Sequence, residues 1–113
     1  MELSALQKIV NGFTQEKGMN TKIEIRMIDI ASEVGELSKE VLKGTNYGEK
    51  EFAPTQGWEE ELGDVLFSLI CIANETNTNL EDSLMTVLDK HEKPLAARGI
   101  WVLKNTGLLF ITP

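Results

Sequence analysis

Apolar residues recur along most of this chain at steps of three and four, and the pattern breaks where glycine, proline, asparagine and threonine gather. Such spacing predicts amphipathic helices separated by turns. The first helix spans residues 3–16 and closes at Lys17 and Gly18. The second spans 22–43 and stops at Gly44, with Met27, Ile30, Val34, Leu37 and Val41 as its apolar stripe. Asp29, Glu33, Glu36 and Glu40 make a parallel acidic stripe. Residues 44–57 hold three glycines, a proline and mixed charge, which predicts a loop long enough to carry function. The third helix, 58–76, places Leu62, Leu66, Leu69 and Ala73 on one face, widened by Val65 and Ile72, and is the most buried. After a turn at 77–79 a fourth helix runs to residue 93 and ends at Pro94. Ser4 with Gln7, Thr21 with Glu24 and Thr78 with Glu81 have the spacing of capping boxes.

The last residues change character. Apolar runs at 100–103 and 108–111 flank Lys104-Asn105-Thr106-Gly107, which predicts a small hairpin packed on the bundle or on a second subunit. The fold class expected is therefore all-α, a four-helix-bundle-like domain over residues 1–99 with a hydrophobic tail at 100–113.

A chain of 113 residues suits one domain with a modest core, which oligomerisation would reinforce. The net charge of −7 argues against duplex nucleic acid as a partner, because phosphate neutralisation needs clustered Lys and Arg. A small polyanion remains accessible through a bridging metal ion. One cysteine, Cys71, lies in an apolar run and reads as a buried thiol in a reducing compartment, so a cytoplasmic location is expected. No stretch approaches the roughly 20 apolar residues of a membrane span, and the amino terminus lacks the pattern of a signal peptide.

The chemistry concentrates in a repeated pattern, Glu33-Val34-Gly35-Glu36 and Glu61-Leu62-Gly63-Asp64. Carboxylates three apart share a helix face. Glu33, Glu61 and Asp64 meet Leu37, Val65 and Ser68 at i+4, and Glu36 alone has a nearby lysine, Lys39. A glycine in a helix interior costs about 1 kcal/mol against alanine, so two in matching places suggest close approach of another helix or a ligand. A lone Glu-x-x-Glu is usually a solvated face. The duplication, the shared glycine and the missing partners favour a pocket of carboxylate oxygens, which suits a hard divalent cation such as magnesium. A di-iron centre needs a histidine on each of two helices, whereas this chain has only His91.

With its flanks, Glu33-Val34-Gly35-Glu36-Leu37 and Glu61-Leu62-Gly63-Asp64-Val65-Leu66-Phe67, the pattern resembles the two core segments of the MazG-like all-α nucleotide pyrophosphohydrolases. The resemblance spans about residues 25–98. It implies a helical homodimer, or a dimer of dimers, that cleaves nucleoside triphosphates between the α and β phosphates. Glu33, Glu36, Glu61 and Asp64 would then hold Mg2+, with Mn2+ as a substitute. Glu36 and Glu33 are the leading catalytic residues, one acting as general base.

By the same resemblance Lys90, Lys93 and Arg98 fall where phosphate-binding residues are expected, although Asp89 stands near the expected asparagine and Pro94 interrupts the helix. Trp58 and Phe13, with Tyr47, are candidates to stack on the base, against the blander reading of packing. Deoxynucleotides and modified nucleotides are the substrates the resemblance implies. The rival readings are a non-catalytic nucleotide-binding domain and a metal-free helical interaction module.

Overall fold

The computed structural model describes residues 1–93 together with the strand backbones at 100–102 and 109–111. Its elements are α1 (Leu3–Glu16), α2 (Ile23–Gly44), α3 (Trp58–Glu75), α4 (Leu80–Glu92), β1 (Ile100–Val102) and β2 (Leu109–Ile111). Helix bounds fall within one or two residues of those the periodicity predicts. The strands pair antiparallel, Ile100 opposite Ile111 and Val102 opposite Leu109, while the turn expected at 104–107 lies outside the described residues.

The chain divides into two compact units, Met1–Leu80 and Glu81–Pro113. In the first, α3 packs against both α1 and α2. Its interior is small: Ile70, Cys71 and Ala73 supply the buried apolar side chains, with Ser68, Thr14, Gln7 and Arg26 buried beside them. Helices α2 and α3 run antiparallel. Arg26 lies over the Phe67 ring, Glu33 beside Glu61 and Asp64, and Glu40 against Thr55 and Gly57, so residue number rises along α2 as it falls along α3 and the segment leading into it.

The caps predicted for α1 and α2 do not form. No side chain caps α1, α2 or α3, and their N-cap residues are Glu2, Lys22 and Gly57. Ser4 lies within α1, and Gln7 turns inward instead of back toward it. Gln7 Nε2 donates to Asn74 Oδ1 at 3.1 Å and to the Thr78 carbonyl at 2.8 Å, and Gln7 Oε1 accepts the Leu80 N–H at 2.9 Å. Asn74 Nδ2 returns a bond to the Gln7 carbonyl at 3.0 Å. A buried amide must find partners for both ends, and this one does so by fastening α1 to the turn after α3.

Two expectations about packing are corrected. Met27, Val34 and Val41 on α2 and Leu62, Leu66 and Leu69 on α3 are exposed in the single chain, while Ser68, Ile70 and Cys71 face inward. Helix α3 is apolar on more than one side, so periodicity alone does not tell which side meets α1 and α2. Of the two approaches expected at the motif glycines, that of another helix is not found among the described residues. A Cβ on Gly35 or Gly63 would meet nothing within 4 Å. Close approach occurs instead at Gly44, where a Cβ would lie 2.6 Å from the Ala53 carbonyl oxygen and 2.6 Å from Phe52 Cε1.

These spaces set opposite outcomes for one substitution. Gly44→Ala is expected to destabilise the chain by about 1–3 kcal/mol through overpacking against backbone. Gly35→Ala and Gly63→Ala are expected to raise its unfolding free energy, each by up to ~1 kcal/mol through helix propensity. Urea unfolding of the three variants checks the signs, and a neutral Gly44→Ala would contradict the packing described.

Candidate active site

The acid stripe of α2 and the first turns of α3 meet where the two helices cross. Because α2 is long and straight-patterned, Glu33 and Glu36 share one face; because α3 starts at Trp58, Glu61 and Asp64 occupy its first two turns. One carboxylate oxygen from each of Glu33, Glu61 and Asp64 lies within 4.8 Å of the others. Glu36 stands outside this trio and is ion-paired with Lys39 at 3.7 Å, as its sequence spacing anticipates.

The cluster is electrostatically unrelieved. Burial pushes the Glu61 carboxyl above the ordinary carboxylate range, and the charges of Asp64, Glu33, Glu36 and Glu60 push it further the same way. Glu61 Oε2 is buried and accepts no hydrogen bond among the described residues. A buried oxygen without a donor is costly. Arg26, which sequence reasoning did not single out, is buried on the same helix pair with its guanidinium 5.8 Å from the Phe67 ring centroid and its Nη1 3.2 Å from Asp29 Oδ2. Only its i+3 acid hinted at this role; nothing in the spacing announces burial of a charged residue.

A polar cleft of about 410 Å3 opens at the far end of α3, among Gln7, Asn11, Asn74 and Asn77, well away from the carboxylates. The acid cluster itself occupies an open face of α2 and α3.

This geometry agrees with what the chain is similar to. Residues 22–94 match the MazG nucleotide pyrophosphohydrolase domain. The chain belongs to the MazG family. It is 42% identical over 84 residues to the uncharacterized protein YpjD of Bacillus subtilis (strain 168), covering 72% of each chain. The crystal structure of a Bacillus-conserved MazG protein, a nucleotide pyrophosphohydrolase, superposes with a TM-score of 0.69 at 33% identity, over 82% of this chain and 92% of that one. The putative pyrophosphatase YpjD from Bacillus subtilis superposes at 0.68 and 32% identity, over 82% and 95%. Membership makes this MazG protein an enzyme, a nucleotide pyrophosphohydrolase with an all-helical core.

The remaining candidates fall in different parts of the chain. Lys90 and Lys93 lie at the end of α4 in the second unit, Lys93 paired with Asp89 at 3.8 Å, and Arg98 lies outside the described residues. Trp58 packs edge-on against Phe52 with ring centroids 5.0 Å apart. Phe13 meets Phe67 edge-on at 6.2 Å and carries Lys17 Nζ 5.9 Å from its centroid. Tyr47 is exposed in the loop. Cys71 is buried, as its apolar run predicts, and burial raises its thiol pKa. No described helix is long and apolar enough to cross a membrane.

The raised Glu61 carboxyl has a measurable sign. In metal-free protein it keeps its proton to higher pH than in the unfolded chain, so the folded state binds more protons across that window and stability falls as pH rises through it. Glu61→Gln is therefore expected to melt at a higher temperature than wild type at neutral pH in EDTA. The gain should vanish as pH drops below the ordinary carboxylate range, where both side chains are neutral. A difference that does not change with pH would refute the assignment.

Proposed function

We propose that this MazG protein is a Mg2+-dependent nucleoside triphosphate pyrophosphohydrolase, with Mn2+ as a substitute, that cleaves between the α and β phosphates in nucleotide-pool house-cleaning. The observation that carries the reading is the Glu33, Glu61 and Asp64 trio with its undonated, buried Glu61 oxygen. Hard oxygen donors crowded together and lacking protein donors fit a divalent cation. Glu33, Glu61 and Asp64 would hold it, with Glu36 completing the set. When bound, such an ion supplies positive charge to the triphosphate oxygens and to the charge that develops during attack.

The chain's own groups do the rest. Of the four, Glu36 stands outside the tight trio yet near enough to act on Glu61, so it would be the carboxylate least engaged by the ion and the first candidate to take a proton from the attacking water; Glu33 is the second candidate. Water adds to a phosphorus of the α–β anhydride as the bond from that phosphorus to the bridging oxygen breaks, leaving nucleoside monophosphate and pyrophosphate, with the water's proton passed to the carboxylate base. Lys90, Lys93 and Arg98 are assigned to the phosphates, and Trp58 and Phe13 to the base. Deoxynucleotides and modified nucleotides are the proposed substrates, met in the cytoplasm. The open face of the cluster and the exposed Val34, Val41, Leu62 and Leu66 beside it support a homodimer or dimer of dimers, in which a second copy walls the site.

Pyrophosphate release from a panel of standard and damaged nucleoside triphosphates, with Mg2+ or Mn2+, tests this directly. Wild type is expected to turn over, and Glu36→Gln and Asp64→Asn each to lose about 100-fold or more in kcat/KM. Binding of nucleotide and metal without release would instead identify a non-catalytic nucleotide-binding domain.

A further inference from the structure

The acidic stripe of α2 extends one turn past Glu36 to Glu40, and Glu40 is not a solvated surface acid. Its side chain is only 12% exposed. The Thr55 hydroxyl donates to Glu40 Oε2, and Lys43 Nζ lies 3.6 Å from Oε1. Across from it, a Cβ on Gly57 would fall 2.8 Å from Glu40 Oε1 and 3.1 Å from its Cδ, so the carboxylate is seated against bare backbone.

What Glu40 touches is the entrance to α3. Gly57 is the N-cap of that helix, and its carbonyl accepts the Glu61 N–H at 3.1 Å. Thr55, bonded to Glu40 through its hydroxyl, accepts the Trp58 N–H at 3.3 Å through its carbonyl. A carboxylate at a helix N-terminus also meets the positive end of the helix dipole, where no side chain of α3 itself provides a cap. The chain of contacts therefore runs from Glu40 through Thr55 and Gly57 to the backbone of Glu61. The earlier part of the loop is anchored separately, by the Ala53 N–H to the Gly44 carbonyl at 3.0 Å.

We propose that Glu40 is a positioning residue: with Thr55 and Gly57 it straps the start of α3 to α2 and so sets the height of Glu61 and Asp64 against Glu33. This rests on the reading that the cluster holds a divalent cation. Both Glu40 oxygens are engaged by Thr55 and Lys43, which distinguishes this role from that of a further ligand. Helices slide past one another by fractions of a turn at little cost, and a carboxylate trio that must meet around one ion does not tolerate such slippage.

Mn2+ binding to the full chain, followed by electron paramagnetic resonance of the free ion, tests the strap without requiring turnover. Thr55→Val and Glu40→Ala are expected to weaken binding about 10-fold. Thr55→Ser, which keeps the hydroxyl, should restore it, and Glu40→Gln, which keeps an acceptor for Thr55, should retain most of it. Thermal melts confirm that each variant is folded. Wild-type affinity in Thr55→Val overturns the proposal. So does equal loss in Glu40→Gln and Glu40→Ala beside a harmless Thr55→Val, since that pattern makes Glu40 a ligand. Wild type that binds no Mn2+ overturns the metal reading and the strap together, whereas tight binding unchanged across the variants overturns the strap alone.

Discussion

The register of α2 against α3 is the constraint on which the rest of the first unit depends. It must bring carboxylates together that repel one another, at about 1 kcal/mol per pair 4 Å apart in water and about 4 kcal/mol near a protein surface. The fold holds this crowding from both sides. On one side Arg26 is buried against Phe67 and Asp29; on the other Glu40 meets Thr55 and the N-cap glycine of α3. Between them Glu33, Glu61 and Asp64 converge, and the unfavourable charge is displaced onto a raised Glu61 carboxyl. A cation bound here would relieve that crowding, which would couple its binding to the rigidity of the helix pair.

The interior around this pair is thin and unusually polar. Gln7, Thr14, Arg26 and Ser68 share it with three small or medium apolar side chains. Gln7 earns its burial by satisfying the Leu80 N–H, the Thr78 carbonyl and Asn74 together, so it orders the turn after α3 as a cap would. Several larger apolar residues of α2 and α3, Met27, Ile28, Leu42, Leu62, Leu66 and Leu69 among them, are exposed. A second copy covering that face would add the apolar burial that one chain lacks and would close the open side of the acid cluster.

Helix positions were legible because stripes such as Ile30, Val34 and Leu37 keep the 3.6-residue period, and the pairing of the two strands was legible because two apolar runs lie a few residues apart. The acid cluster was legible because two identical spacings on adjacent helices leave few arrangements once the helices pack antiparallel. What escaped was long-range. Ser4 and Gln7 have the spacing of a capping box, yet a buried glutamine with partners 67 and 71 residues away outweighs a local bond to N3. Gly35 and Gly63 looked like contact points, whereas Gly44 and Gly57, which read as loop punctuation, take the close approaches. The partnership of Glu40 with Thr55 has no sequence signature, since nothing in a loop marks which threonine will return to the helix before it.

The central claim is that the α2–α3 crossing is built to hold a divalent cation. Anomalous diffraction from crystals grown with Mn2+ and without nucleotide addresses it most directly. The account predicts a peak within coordination distance of oxygens from Glu33, Glu61 and Asp64, with Glu40 still bonded to Thr55. Fully occupied manganese elsewhere and none at these carboxylates, or Glu33 and Glu61 on opposite faces of the helix pair, would contradict it.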